Sequence, residues 1–338
     1  FVLFFYGKKP KKNKLTQIPI SKPLPKFQRP KNFSISDGKF SFKFISKGKN
    51  YIIGKSTENF TLLSKKGLNV PFSTYDNNFQ EKVYLNFLKK IKNFQVDAIG
   101  LSYVQNSDLV KKMKIKSNKI IVSKIENNEG CKNLDEICSS SDIIMIDRGD
   151  LAAEIGDNNL FNQTIRISKR AKHYGKLLIM ATENLETMIL NNTPTKSEII
   201  SLSFSKSLNV DYLMLSDETA TSSRFQQTLN WLKNFNKLNL QINKNKKQKK
   251  ISTQNKDLLF ENLKKIDEQN SKVLMFTRKG YIIEKILSLH PTIEVVIFTD
   301  NQKVHDLTYL RKNATIIQTK KFPKNLDNFI YSNIKKNK

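Results

Sequence analysis

The chain predicts an α/β fold, a partial TIM-type (β/α) barrel with a small β domain before it and an α/β domain after it. Three observations predict it. Apolar runs suited to buried strands recur at 97–104, 119–125, 142–147, 177–182 and 211–216. Helical patterns lie between them, as in NLFNQTIRISKRAKHYG (159–175) and TKSEIISLSFSKSL (195–208), so the strands run parallel with helices covering the sheet. The runs also end in polar residues: Ser102, Lys124 with Glu126, Arg148 with Asp150, Thr182 with Glu183, and Ser216 with Glu218. Functional groups at successive strand C-termini belong to the active face of a barrel. An open doubly wound sheet is the alternative, but no glycine-rich phosphate loop follows any strand.

Element by element, the opening FVLFFYG is apolar but far too short to span a bilayer. It also lacks the basic start and small-residue cleavage site of a signal peptide. Residues 8–32 are rich in Lys and Pro and read as irregular. From Phe33 to Val70 come FSFKFIS, NYIIGKS and NFTLLS, separated by Asp37-Gly38 and Gly48-Lys49. Period-two alternation broken by glycine turns predicts a small antiparallel β unit, placed within 1–72. The strand–helix alternation fills 73–240, and the Lys/Asn/Gln-rich stretch beyond it supplies a linker at 241–256. KVLMFTRKG (272–280), YIIEKILSLHP (281–291), TIEVVIFTD (292–300) and NATIIQT (313–319) then predict an α/β domain over 257–338.

The formal charge of +29 comes mostly from lysine, which makes up 52 of the 59 basic residues. Its even spread is unlike the clustered Arg/Lys stripe of a nucleic-acid binder, so nucleic-acid binding is not the expected role. Cys131 and Cys138 are expected in one helix, and their spacing of seven fits neither a zinc knuckle nor a redox pair. Free thiols in a reducing cytosol are the expectation, with a cytoplasmic location and no membrane partner. His173, His290 and His305 neighbour no obvious ligands.

The chemistry lies in the strand ends. Alternate side chains of a strand share a face, so Lys124 and Glu126 point the same way. Asp150 follows the next strand, and neighbouring strands lie about 4.8 Å apart, so both carboxylates can reach one ion. Two carboxylates with substrate and water oxygens suit Mg²⁺ or Mn²⁺. The Lys124 ammonium could stabilise an oxyanion or a transferring phosphoryl group. For each motif alone, a Lys–Glu–Asp–Arg salt-bridge network is the competing reading.

The order of the motifs adds to this. SKIENNEG, IMIDRGDLAAEIG, MATENLETM, TPTKSE and YLMLSDETA, with SKKGLNVP (64–71) ahead of them, resemble the pyruvate kinase family from about Phe33 to Thr221. The resemblance implies strands equivalent to the fourth to eighth of the barrel. It also implies Lys124 and Thr182 as catalytic residues, and Glu126 and Asp150 as ligands of Mg²⁺ or Mn²⁺. Arg148, Gly149, Asp150 and Thr182 would contact substrate. The implied reaction is phosphoryl transfer from phosphoenolpyruvate to ADP, giving pyruvate and ATP in glycolysis, by a homotetramer that also uses K⁺. Thr277, Arg278, Lys279 and Gly280 resemble an effector-phosphate loop.

The sequence also departs from that family. The segment that usually supplies K⁺ ligands has no match in residues 1–32, which makes an N-terminally incomplete sequence the expectation. VLFFYGKKPKK aligns with the tail of a barrel strand, with Phe4 where the family has Asp. Asp147 stands where the family usually has a small residue, placing a third carboxylate near the metal. Two alternatives stay open: a non-catalytic homologue, and a metal-dependent lyase or aldolase acting on pyruvate enolates.

Overall fold

In a computed structural model of the chain, residues 1–11, 15–36, 38–62, 66–239, 263, 265–267, 271–290, 292–321, 323, 325, 328, 329 and 331 are described. The chain divides into two compact units, Phe1–Gln248 and Lys249–Lys338. The expected linker at 241–256 lies outside the described residues.

The first unit holds two sheets. One has six strands: β1 (Val2–Phe5), β2 (Thr16–Pro19), β3 (Asn32–Ile35), β4 (Phe40–Lys47), β5 (Tyr51–Ser56) and β6 (Leu68–Asn69), in the order β2-β1-β5-β4-β3-β6. The alternation read in FSFKFIS puts Phe42 onto one face, where it packs against Phe4 and Phe33 with ring centroids 5.3 Å away in each case. Gly54 is required there, because a Cβ would fall 2.5 Å from the Phe33 ring.

Three expectations are corrected in this sheet. Val2–Phe5 is not in the parallel barrel sheet; it pairs antiparallel with β5 and parallel with β2, and Phe4 is an aromatic core residue at 2% exposure. Residues 8–32 contain the edge strand β2, whose Pro19 an edge position tolerates. The run 59–64 forms no strand over its described residues. Phe60 instead stacks on Phe40 with centroids 4.2 Å apart, and the last pairing passes to β6.

The second sheet has five parallel strands: β7 (Ala98–Leu101), β8 (Ile120–Ile125), β9 (Ile143–Asp147), β10 (Leu177–Ala181) and β11 (Tyr212–Leu213). They lie side by side in chain order. That order is a barrel sector, since a doubly wound sheet reverses direction at a switch point. The sector is not closed among the described residues. Alternate residues Ile99, Leu101, Ile121, Ile125, Ile144, Ile146, Leu178 and Met180 face the helices in one core with Val110, Met113, Ile137 and Ile167. The opposite face carries Lys124 and Asp147, and register sets Asp147 opposite Ala181. The cysteines fall in two helices, Asn128–Lys132 and Leu134–Ser140, broken at Asn133. Both are buried and free, and burial pushes their thiols up to about 11 and about 12.

The second unit has a three-stranded parallel sheet of β12 (Lys272–Phe276), β13 (Glu294–Thr299) and β14 (Ala314–Gln318). Ile283, Ile286, Ile293, Val295, Ile297 and Val304 form its core. Among the described residues, no helix is long and apolar enough to cross a membrane.

Candidate active site

Lys124 lies near the end of β8 and Glu126 just past it, and their two-residue spacing puts both on the open face. Lys124 Nζ lies 3.0 Å from Glu126 Oε2. At the end of β9 the chain passes straight into the helix Arg148–Ile155, so Arg-Gly-Asp is a helical first turn and not a loop. Asp150 gains there from the positive end of the helix dipole. Asp147, the last residue of β9, lies 3.0 Å from Lys124 Nζ through Oδ2. Oxygens of Glu126, Asp147 and Asp150 all lie within 4.8 Å of one another.

Neighbouring elements hold these carboxylates. Tyr103, just past β7, donates its backbone N–H to Glu126 Oε1 at 2.8 Å and its hydroxyl to Asp150 Oδ1 at 2.7 Å. Asn69 of β6 donates from Nδ2 to the same Asp150 oxygen at 2.9 Å. Below them the fully buried Glu154 accepts from the Tyr75 hydroxyl at 2.5 Å. The sequence reading missed Tyr103, Asn69, Tyr75 and Glu154. Their only signal was position, at a strand end, in the segment leaving the small sheet, or one turn after Asp150.

β10 ends in a turn where Thr182, Glu183 and Leu185 take φ of 60°, 52° and 61°. Left-handed backbone costs side-chain-bearing residues about 1–3 kcal/mol each and persists only where the surroundings fix it. Arg148 fixes it. Its buried guanidinium donates to the carbonyls of Ala181 and Thr182, to Asn184 Oδ1 at 2.9 Å and to Ser201 Oγ at 2.7 Å. Thr182 Oγ1 accepts from Gly149 N at 3.1 Å, and its single proton has the Ala181 carbonyl at 2.7 Å and Asp147 Oδ1 at 3.2 Å as acceptors. Lys124, Glu126, Gly149, Asp150 and Thr182 therefore converge, while the Arg148 guanidinium turns into the protein behind them.

The loop Thr277–Gly280 belongs to the second unit. Thr277 Oγ1 accepts from Gly280 N at 3.0 Å, and Arg278 Nε donates to Asp300 Oδ2 at 3.0 Å. Gly280, at φ 74°, opens the helix Tyr281–Leu289.

Electrostatics favour a cation among the carboxylates. Burial pushes the Glu126 carboxyl up to about 8; Lys124 works against this, and Asp150 and Asp147 add to it. Burial also pushes Glu154 up to about 8. For Lys124, burial acts downward, but Glu126 and Asp147 more than offset it and hold the ammonium above its ordinary pKa. Glu126 Oε2 is buried with no hydrogen bond of ordinary geometry, its contact being the Lys124 ammonium. An all-oxygen donor set with such an underused oxygen fits a hard divalent cation such as Mg²⁺ or Mn²⁺.

The sequence matches the family described as "Pyruvate kinase, barrel domain" over residues 12–228. It is 33% identical over 190 residues to a pyruvate kinase of Methanocaldococcus jannaschii, covering 55% of this chain and 42% of that protein. It is 34% identical over 210 residues to a pyruvate kinase of Eimeria tenella, covering 59% and 39%. The matches thus span about two-fifths of these curated relatives' length. The crystal structure of pyruvate kinase from Pyrobaculum aerophilum superposes with a TM-score of 0.74 at 21% identity, covering 98% of this chain and 75% of that one, which supports the fold.

Proposed function

The chain belongs to the pyruvate kinase family, and from that premise we propose that its site transfers a phosphoryl group from phosphoenolpyruvate to ADP, releasing pyruvate and ATP. The observation that carries this reading is the placement of the Lys124 ammonium 3.0 Å from two carboxylates at adjacent strand ends. Phosphoryl transfer needs mostly positioning and charge neutralisation, and this cluster supplies both.

In this reading Glu126 and Asp150 hold Mg²⁺ or Mn²⁺, which supplies charge neutralisation for substrate oxygens when bound. Lys124 lies where it can leave Glu126 and Asp147 for the transferring phosphoryl and the enolate oxygen. In the same reading the Thr182 hydroxyl would serve the enolate carbon, and Gly149 and Asp150 the substrate carboxylate. Arg148 serves substrate indirectly, by shaping the turn that carries Thr182. K⁺ is assigned no ligand among the described residues. Assembly as a homotetramer, a place in cytoplasmic glycolysis and anion binding at Thr277, Arg278, Lys279 and Gly280 belong to the same proposal.

The test is pyruvate release from phosphoenolpyruvate by the full chain with Mg²⁺ and K⁺, with and without ADP. Strict ADP dependence supports the kinase and excludes an enolate lyase. Lys124→Met should leave phosphoenolpyruvate binding, measured by calorimetry, largely intact while turnover drops by orders of magnitude. Unchanged turnover in that variant would falsify the role of Lys124.

A further inference from the structure

We propose that Asp147 is a third carboxylate of the divalent-cation site and sets how strongly that site holds its ion. The inference rests on the reading above, in which Glu126 and Asp150 are ligands, and adds a residue to it.

Three observations carry it. The first is place: as the last residue of β9, opposite Ala181, Asp147 is aimed onto the open face of the sheet. One of its carboxylate oxygens lies within 4.8 Å of ligand oxygens of both Glu126 and Asp150. The second is burial. Asp147 is 5% exposed and Glu126 is fully buried, so water cannot screen their repulsion as it would at a surface. The third is the Glu126 Oε2 atom, buried and facing the Lys124 ammonium at 3.0 Å without a hydrogen bond of ordinary geometry.

Charge then decides the matter. One ammonium, Lys124, faces the three carboxylates, and it is shared between Glu126 and Asp147. With all three carboxylates ionised, the form that holds a cation, two negative charges remain, the number that one divalent cation neutralises. Without Asp147 the occupied cluster would carry a net positive charge; with it the occupied cluster is neutral. Asp147 does not have to abandon its present partners. The Thr182 hydroxyl that reaches its Oδ1 at 3.2 Å lies closer to the Ala181 carbonyl, at 2.7 Å, and a carboxylate oxygen has a second lone pair for an ion.

Calorimetric titration of Mn²⁺ into the full chain tests this, comparing wild type with Asp147→Asn, Asp147→Ala, Glu126→Gln and Asp150→Asn. Both Asp147 variants should bind Mn²⁺ more weakly, on the order of 10-fold or more. Circular dichroism in EDTA identifies which variants are folded, so that weaker binding is read only from folded protein. Asp147→Ala is the smaller side chain and decides the outcome if Asp147→Asn does not fold. Wild-type affinity in either folded Asp147 variant, alongside loss in Glu126→Gln and Asp150→Asn, overturns the proposal and leaves the two-carboxylate reading standing. Wild-type affinity in all four overturns both.

Discussion

Arg148 shows how one side chain can govern a site it does not enter. Its guanidinium is buried, which lowers its pKa, and its hydrogen bonds go to neutral oxygens on Ala181, Thr182, Asn184 and Ser201. Those bonds hold three left-handed residues in a turn that presents the Thr182 hydroxyl to Gly149 and Asp147. A lysine cannot reproduce the planar fork. We expect Arg148→Lys to cost about 1–3 kcal/mol through the acceptors left unpaired, read from urea unfolding, and to lower kcat more than it raises the KM for phosphoenolpyruvate. A KM effect alone would return Arg148 to the substrate-contact role that its motif suggests. This is also where sequence reading runs out. Lys124 and Glu126 were legible because period two forces them together, and Asp150 because it follows a strand end. The partners of Asp150 were not: Asn69 and Tyr103 come from 81 and 47 residues away, one brought by β6 of the small sheet and the other by the turn after β7.

At the scale of elements, the turn after β10 is held from both ends. The helix Lys196–Ser207 brings Ser201 to Arg148, and its start is a capping box, with Thr195 and Glu198 each bonding the other's backbone N–H. TPTKSE makes this cap readable in sequence, because a threonine followed three residues later by glutamate is the capping signature. What it does not show is the second task of Glu198, which accepts from the Thr187 N–H at 2.9 Å and from the Thr187 hydroxyl. That ties the helix to the short turn Glu186–Ile189, next to Thr182. Burial works against the ionised Glu198, but the Thr187 and Thr195 hydrogen bonds prevail and hold its carboxyl below the usual range. A depressed carboxylate stabilises the fold above its unfolded pKa of about 4.3, and that share is lost as pH falls through the folded value. Glu198→Gln should therefore cost about 1 kcal/mol near neutral pH, because the amide has one acceptor oxygen where the carboxylate has two, and the gap to wild type should close in acid. Thermal melts across that range check it, and a gap that widens in acid would contradict the assignment.

At the scale of the whole molecule, the two units keep separate cores. Ile121, Ile144 and Leu178 belong to one, and Ile283, Ile293 and Ile297 to the other. Strand–helix alternation was legible across both because burial on two faces leaves continuous apolar runs. The small sheet's pairing was harder to read, since β1 and β2 are four-residue strands set before and within a Lys- and Pro-rich stretch that shows no alternation. Every residue of the proposed cation site, Lys124, Glu126, Asp147 and Asp150, lies in Phe1–Gln248, and none in Lys249–Lys338. A ligand stabilises only the cooperative unit that binds it, by about 2.7 kcal/mol at a hundredfold excess over Kd. Units with separate cores can melt separately. Scanning calorimetry of the full chain should then resolve two transitions, with Mn²⁺ raising one and leaving the other in place. Asp150→Asn should abolish the shift without moving the second transition. A single transition that rises as a whole would show that the units unfold together, and two unmoved transitions would remove the cation from Phe1–Gln248.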